Sequence, residues 1–285
     1  MSAVIMIQGT SAAAGKTIFA AALCRLLAEA GWRAAPFCAQ TIGADAVNLP
    51  QGSLSRSQYL QAEAAGVTPV VEMNPLHLQP LTENSFRLTE RGVDKGEISR
   101  QDYLAAADTA FDLVLESLQT LLSRYELVVI EGAAAPVELH RPELALPNMR
   151  LAQAIKAPVL LISDIDRGGM FAYVAGTLAL LPEAQRRLIQ AVVVNRFRGF
   201  REKLQPGLEL LEESINKPVI GVIPYLNLQP LQAADPAQRE KREQVYRLLA
   251  ETVRQNVDLA FIQRLLRQAG DSQDTPKEGD GKSWS

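Results

Sequence analysis

The chain has 285 residues, 47% hydrophobic and 21% charged, which is typical of a globular protein with a substantial core. Its formal net charge of −3 argues against a nonspecific nucleic-acid-binding protein, because there is no excess of cations to neutralise phosphates. Two cysteines and two histidines argue against a disulfide scaffold and a metal centre built from these residues. With no apolar run long enough to cross a bilayer and no leader pattern after Met1, we expect a cytoplasmic protein.

Short apolar runs alternate with longer helical patterns along the chain. The predicted strands cover residues 4–8, 34–38, 76–79, 85–89, 127–130, 159–163, 191–195 and 219–223. The predicted helices cover residues 16–30, 55–65, 100–124, 146–154, 169–181, 202–215 and 239–268, the last as one long helix or two shorter ones. This order predicts an α/β fold with a mostly parallel sheet and helices on both faces. The polar strand pair around Asn84 is predicted at an edge of that sheet.

A glycine-rich segment with the sequence Gly-Thr-Ser-Ala-Ala-Ala-Gly-Lys-Thr joins the first predicted strand to the first helix. In a P-loop, the backbone N–H groups and helix N-terminus at this position surround a phosphate, so the segment predicts a P-loop NTPase-type fold that binds ATP. The predicted nucleotide contacts are Gly9, Thr10, Ser11, Ala12, Ala13, Ala14, Gly15, Lys16 and Thr17. Five residues separate the two glycines, one more than in the common motif, and the alternative is a glycine-rich turn that happens to contain Lys-Thr.

A carboxylate ends the apolar strand over residues 127–130. Because ligands in open α/β sheets bind beyond the carboxyl ends of the strands, Glu131 is predicted to face the phosphate site. Carboxylate and hydroxyl oxygens suit Mg²⁺, so we predict a metal site at Thr17 and Glu131, with Glu131 acting directly or through water. The alternative is a loop carboxylate that faces solvent.

Two further strands deliver polar side chains to the same edge of the sheet. Asp164, Asp166 and Arg167 follow the strand over residues 159–163 and are predicted catalytic residues, with Lys16. The alternative for Asp166 and Arg167 is a structural ion pair with each other. Asn195 ends the next strand, and its amide, which both donates and accepts, suits an adenine edge or the cap of a turn.

Taken together, these residues resemble the amino-terminal synthetase domain of the cobyric acid synthases, glutamine-dependent amidotransferases related to dethiobiotin synthetase and cobyrinic acid a,c-diamide synthase. The resemblance covers about residues 3–226 and is carried by segments that include 9–17, 22–25, 36–40, 60–66, 73–75, 131–133, 164–169, 197–199 and 218–225. It implies a P-loop α/β fold that binds ATP and Mg²⁺. It also implies a reaction in which ATP phosphorylates a substrate carboxylate and ammonia displaces the phosphate.

The chain also departs from this family at several positions. Cys38 and Gln79 stand where the family carries lysine, so two cations that could face a substrate are absent, and Ala134 stands where the family has glycine. The family's glutaminase domain, which uses a nucleophilic cysteine, has no counterpart in these residues, and Cys24 and Cys38 are expected to be packed side chains. We therefore expect ammonia to come from outside the chain, free or from a separate glutaminase subunit.

The resemblance implies an amide-forming ligase for a small carboxylic acid, with a corrinoid acid as the candidate, acting as a homodimer without nucleic-acid or membrane partners. Two alternatives stay open: a non-catalytic or regulatory ATP-binding protein, and a cyclo-ligase similar to dethiobiotin synthetase. The predicted organisation is a P-loop ATP-binding domain over residues 1–233 and a helical extension over 234–270. Residues 271–285, in which only Trp284 is apolar, are predicted to be a disordered tail.

Overall fold

The computed structural model describes residues 3–141, 143, 146–228 and 235–271. The strands are β1 (Ala3–Gly9), β2 (Ala34–Phe37), β3 (Gln40–Ile42), β4 (Ala46–Leu49), β5 (Gly52–Ser55), β6 (Leu76–Pro80), β7 (Ser85–Glu90), β8 (Val93–Ser99), β9 (Leu127–Glu131), β10 (Val159–Asp164), β11 (Ile189–Phe197) and β12 (Val219–Pro224). The α-helices are α1 (Lys16–Glu29), α2 (Arg56–Ala64), α3 (Arg100–Ala105), α4 (Ala107–Arg124), α5 (Leu151–Ala154), α6 (Met170–Leu180), α7 (Glu183–Arg186), α8 (Arg201–Ile215), α9 (Arg239–Asn256) and α10 (Leu259–Asp271).

In the described residues, six parallel strands form the central sheet in the order β2-β9-β1-β10-β11-β12. The central strands are buried along their whole length, which explains their nearly continuous apolar sequences. The connections between parallel strands pass through helices, and these cover both faces. The predicted P-loop NTPase-type α/β fold, with a mostly parallel sheet and helices on both faces, is confirmed.

Side chains of β1 divide the core into two halves, because alternate residues of a strand point to opposite faces. Ile5 and Ile7 pack with residues of α1, α9 and α10 on one face. Val4 and Met6 pack with residues of α4, α6 and α8 on the other. The residues predicted as a helical extension thus share a hydrophobic core with the strand that carries the P-loop.

A second sheet corrects the prediction for the polar strands around Asn84. They do not lie at an edge of the central sheet; β6, β7 and β8 form a four-stranded sheet with β3, in the order β3-β6-β7-β8. β3 pairs with β6 in parallel, and the other pairs are antiparallel. β4 and β5 form a separate hairpin. Most residues of β8 are at least partly exposed, so this sheet lacks the apolar runs that identify the strands of the central one.

Two long regions predicted as helical each contain two helices. The helix predicted over residues 100–124 breaks at Ala106, which lies at φ −89° and ψ 9° between α3 and α4. The region predicted as one or two helices over residues 239–268 contains two. Val257 between them is extended and bridges to Gly221 of β12, while the Asp258 N–H donates to the Ile220 carbonyl at 2.7 Å. This local pairing with the edge strand β12 turns the chain so that α10 packs on the sheet.

The ends of the predicted organisation fall partly outside the described residues. Asp271, the first residue of the tail predicted over 271–285, ends α10 instead. Residues 272–285 and residues 229–234 of the connector lie outside the described residues. The division at residue 233 stays a prediction. No helix within the described ranges combines the length and apolar character that crossing a bilayer requires.

Packing of α10 into the core can be tested with Ile262→Ala, because Ile262 is completely buried. We expect the variant to lose about 2–5 kcal/mol of unfolding free energy, the usual cost of truncating a buried aliphatic side chain. Urea denaturation would measure it. The matched control is Leu248→Ala on α9, where the side chain is half-exposed and the loss should be much smaller. Equal, small losses in both variants would contradict this packing.

Candidate nucleotide-binding site

The loop between β1 and α1 is fixed at both ends. The Thr10 N–H donates to the Ile162 carbonyl at 2.9 Å, and the Thr10 and Ser163 hydroxyls share a hydrogen bond of 2.8 Å. Gly15, at φ +101°, precedes α1, and a Cβ there would lie 2.1 Å from the Asn195 amide nitrogen. No side chain caps the N-terminus of α1 and no acidic residue lies in its first turn, so this end can receive an anion.

Lys16 folds back over the loop that precedes it. Its ammonium donates to the carbonyls of Ser11 at 3.0 Å, Ala12 at 3.2 Å and Ala134 at 2.6 Å. Burial lowers the pKa of Lys16 below its ordinary value, and the negative charge of Glu131 opposes that shift. These three acceptors use all three ammonium donors, so binding a phosphate here requires exchange of at least one of them.

The carbonyl of Ala134 reaches Lys16 from a strained backbone. Ala134 has φ +49°, in the left-handed region that favours glycine. A non-glycine residue in this region costs about 1 kcal/mol or more. The contact between the loop after β9 and the P-loop therefore requires a backbone conformation at Ala134 that costs conformational free energy.

The predicted metal-binding residues are in direct contact. The Thr17 hydroxyl, in the first turn of α1, donates to one carboxylate oxygen of Glu131 at 2.5 Å. The other oxygen accepts from the side-chain amide of Gln61 at 2.6 Å and of Gln58 at 3.3 Å, both from α2. Glu131 is buried at the end of β9, so the alternative of a solvent-facing loop carboxylate is wrong.

Asp164 is buried at the end of β10 and organises the next loop. One carboxylate oxygen accepts from the Asp166 backbone N–H at 2.9 Å. The other accepts from the Arg196 guanidinium at 2.7 Å and lies 3.5 Å from Arg167 Nε. Arg196 reaches it from a left-handed backbone at φ +60°, directly after Asn195 on β11.

The structure does not show the alternative ion pair between Asp166 and Arg167. Asp166 instead accepts from Arg198 Nε at 2.8 Å, and the Arg198 guanidinium stacks on the Tyr225 ring, 3.3 Å from its centre. The Arg167 side chain remains 63% exposed and forms an ion pair with Asp164. Asp166 and Arg167 therefore project from the loop with different partners.

Asn195 lies against the P-loop. Its NH₂ group donates to the Ala14 carbonyl at 2.9 Å, and its side-chain oxygen accepts from the Arg196 N–H. These bonds use one donor and one acceptor position of an amide that has two of each. The predicted adenine contact is compatible with this arrangement and stays a prediction.

A pocket of about 550 Å³ lies beside these groups. Its polar end is lined by Gly15, Thr17, Asp164, Asp166, Arg167, Asn195 and Arg196. Its apolar end is formed by Ile18 of α1, by residues 223–228 at the end of β12 and after it, and by Val245, Leu249 and Val253 of α9. A charged end at a helix N-terminus and an apolar end match the triphosphate and the base of a nucleotide.

The comparison with family models agrees with this geometry. Residues 5–231 match the model described as the CobQ/CobB/MinD/ParA nucleotide binding domain. The chain belongs to this family. Among curated proteins, it is 44% identical over 243 residues to a probable cobyric acid synthase of Methanothermobacter thermautotrophicus, covering 84% of this chain and 48% of that protein. It is 45% identical over 224 residues to a cobyric acid synthase of Nostoc sp., covering 78% and 45%.

The chain therefore spans about half the length of the curated cobyric acid synthases that it matches. Solved structures give a more distant likeness, of fold alone. MinD from Aquifex aeolicus has a TM-score of 0.45 at 15% identity, covering 89% of this chain and 96% of that one. MinD with Mg-ADP from Pyrococcus horikoshii has a TM-score of 0.44 at 16% identity, covering 96% and 97%.

Sequence reasoning missed several residues that complete the site of this family member. Gln58 and Gln61, which hold Glu131, lie three residues apart on α2 and are fully buried. Two glutamines at helical spacing beside small residues are a weak signal, because solvated helix faces show the same pattern. Arg196 was missed because its contact with Asp164 depends on the register of β10 and β11, in which Asp164 pairs with Asn195.

The two cysteines are packed side chains, as predicted. Cys24 lies in α1 and Cys38 follows β2, both buried and free of disulfides. Burial raises the pKa of both thiols, which keeps them neutral and makes them poor nucleophiles. The Cys38 thiol donates to the Gln40 carbonyl at 3.3 Å.

The dependence of the P-loop on Gly15 can be tested with Gly15→Ala against Gly31→Ala. Both glycines have positive φ, but a Cβ at Gly31 meets nothing within 4 Å. We expect Gly31→Ala to cost about 1 kcal/mol of unfolding free energy from backbone strain. Gly15→Ala should cost about 1–3 kcal/mol more, because Asn195 must move.

Urea denaturation of both variants and of Gly15→Ala/Asn195→Ala would check this expectation. The double variant should recover part of the additional loss, because the crowding amide is gone. The same loss for Gly15→Ala and Gly31→Ala would show that the contact with Asn195 is unimportant.

Proposed function

We propose that this chain is the ATP-dependent part of a ligase similar to cobyric acid synthase, which converts a substrate carboxylate into an amide. The observation that carries the proposal is the P-loop whose Thr17 contacts Glu131, at the charged end of a pocket that also contains Asp164 and Asp166. The identity of 44–45% to cobyric acid synthases supports the choice of reaction.

In the proposed binding mode, the β- and γ-phosphates lie at the N-terminus of α1. The helix dipole and loop N–H groups other than those of Thr10 and Ala14, which donate to the Ile162 and Ser11 carbonyls, receive the negative charge. Lys16 exchanges one of its loop carbonyls for a phosphate oxygen. Asn195 and the apolar wall from α9 receive the base.

The donors at Thr17 and Glu131 fit Mg²⁺. Within the described ranges, no group of three or more His, Cys, Asp or Glu side chains is arranged to hold a metal alone. Mg²⁺ bound with a nucleotide needs only one or two protein oxygens, since water and phosphate complete its coordination. The Thr17 hydroxyl hydrogen is directed to Glu131, which leaves the oxygen lone pairs for the metal. When bound, Mg²⁺ would neutralise charge on the phosphate oxygens.

The proposed reaction has two steps. A substrate carboxylate oxygen attacks the γ-phosphorus, the bond to the bridging oxygen breaks, and ADP leaves. Ammonia attacks the acyl carbon of the resulting acyl phosphate, the carbon–oxygen bond to phosphate breaks, and one ammonia proton passes to the leaving phosphate, which gives an amide and hydrogen phosphate. Negative charge accumulates on the phosphoryl group, so positioned cations supply most of the catalysis.

The loop after β10 is proposed to act between the γ-phosphate and the substrate. Asp164 fixes Arg196 and the Asp166 N–H, so this loop has a defined shape before ligand binds. The exposed Arg167 side chain can reach a phosphoryl or carboxylate oxygen with little loss of internal contacts. Asp166 would orient the attacking group.

The substrate and nitrogen source follow from the relatives rather than from this pocket. We propose a corrinoid acid as substrate, because the similar curated proteins are named cobyric acid synthases. Ammonia would be free or come from a separate glutaminase subunit. We also propose a homodimer, as the family resemblance implies.

The test is ATP turnover with Lys16→Ala and Thr17→Ala. We expect phosphate release by the wild type to rise when cobyrinic acid diamide and ammonium are both supplied. Each variant should lose about 10²–10³-fold in turnover, the usual effect of removing one group that stabilises transition-state charge. Lys203→Ala is the control, since Lys203 lies exposed on α8, stacked on Phe200. No increase with any corrin acid would refute the proposed substrate.

A second candidate is a non-catalytic nucleotide-binding protein. Cys38 favours it, because a neutral buried thiol stands where the family carries a lysine that could face the substrate. This candidate would be selected if the protein binds ATP but does not turn it over. Turnover would have to be absent with every acid tested together with ammonium, and with diamines together with bicarbonate. Turnover that requires bicarbonate would select the cyclo-ligase instead.

A further inference from the structure

The carboxylate of Glu131 is oriented by amides rather than by a cation. Gln61 and Gln58 donate to one oxygen and Thr17 donates to the other, and both glutamines are fully buried. Among the ion pairs of the described residues, none involves Glu131. Neutral donors fix the direction of a carboxylate and leave its charge for a metal.

Helix α2, which carries the two glutamines, fully buries only Gln58, Gln61, Ala62 and Ala64. Its larger apolar side chains, Tyr59 and Leu60, are partly buried against the core. Apolar packing gives little directional control, so directional polar contacts help to set where the glutamines lie. At its N-terminus, the Ser55 side chain accepts from the Gln58 N–H and so caps the helix.

The strongest polar anchor of α2 comes from α9. Glu63 accepts two hydrogen bonds from the Arg242 guanidinium, at 2.6 Å and 2.7 Å, and a third from the Tyr246 hydroxyl at 2.8 Å. Arg242 is only 2% exposed. A bidentate pair of this kind fixes both distance and angle between two helices.

Helix α9 is itself anchored to α1 and forms a wall of the nucleotide pocket. Arg25 of α1 makes a bidentate contact with Glu243, and Arg254 donates to Glu29 at 2.7 Å. Leu249 lines the pocket from the same helix. Residues 239–256 lie beyond residues 5–231, which the family model matches, so that model does not describe this anchor.

We propose that Arg242, with Tyr246, is a positioning residue for Glu131. By binding Glu63, Arg242 fixes α2 so that Gln58 and Gln61 orient the Glu131 carboxylate. The orientation of this carboxylate in turn sets how strongly Mg²⁺ promotes nucleotide binding. The proposal rests on the nucleotide and metal site of the proposed function. Neither Arg242 nor Tyr246 is among the residues that line the pocket, so both would act through α2.

The measurement is the Mg²⁺ coupling of nucleotide binding. The affinity for N-methylanthraniloyl-labelled ADP is measured by fluorescence with Mg²⁺ and with EDTA. The coupling is the dissociation constant in EDTA divided by the dissociation constant in Mg²⁺. A merely structural role would weaken both affinities alike and leave the ratio unchanged. Displacement of the metal carboxylate lowers the ratio.

The variants are Arg242→Met, Tyr246→Phe and Gln61→Leu, with Arg254→Gln as the matched control that removes an α9–α1 ion pair. We expect Gln61→Leu to lower the coupling about tenfold, as loss of a residue that orients a metal ligand does. Arg242→Met should lower it about fivefold and Tyr246→Phe about twofold, and Arg254→Gln should leave it unchanged.

The double variant Gln61→Leu/Arg242→Met separates an action through α2 from an independent effect. If Arg242 works through α2 and its glutamines, the double variant loses less coupling than the product of the two single effects. A double variant whose loss of coupling equals the product of the two single losses would overturn the proposal. An unchanged coupling in Tyr246→Phe would also overturn it. Tyr246→Phe keeps the ion pair and is chosen to fold if Arg242→Met does not. A wild-type protein without Mg²⁺-dependent binding would instead refute the proposed metal site.

Discussion

The ammonium of Lys16 is the contact on which the rest of the site depends. It is buried among three backbone carbonyls, two from its own loop and one from the loop after β9. A buried cation is tolerated only when its donors are satisfied, so the two loops must keep these carbonyls in place. The left-handed backbone of Ala134 shows that this demand outweighs a local conformational cost. The Lys16 ammonium thus holds the P-loop and the loop after β9 together.

Parallel topology explains why the phosphate end could be predicted from the sequence. Where an apolar run stopped at a polar residue, that residue lay at the carboxyl edge of the sheet, because parallel strands all end on the same side. The register then made neighbours of residues far apart in the chain, pairing Ile7 with Glu131 and Asp164 with Asn195. Glu131, Asp164 and Asn195 could be recognised in this way. Their partners Gln61 and Arg196 could not be recognised, because no local sequence pattern indicates these contacts.

The errors in the fold have a related cause. β3, β4, β5 and β8 are short or half-exposed, so their side chains show neither an apolar run nor a clear alternation. The break at Ala106 falls on the residue type with the highest helix propensity, which means that tertiary packing overrides local preference there. At Val257 the sequence allowed one helix or two, and pairing with the edge strand β12 decides for two. In each case the deciding contact is distant along the chain.

The two ends of the pocket are therefore formed by different parts of the chain. The phosphate end is built by the strand tips of β1, β9, β10 and β11 within residues 5–231, which the family model describes. The apolar end depends on α9, which lies beyond that range and yet packs in the same core cluster as α1 and β1. The family match therefore covers the strand ends and the P-loop. The apolar end of the pocket, and the clamp from α9 through Glu63 to α2, depend on helices that lie beyond residues 5–231.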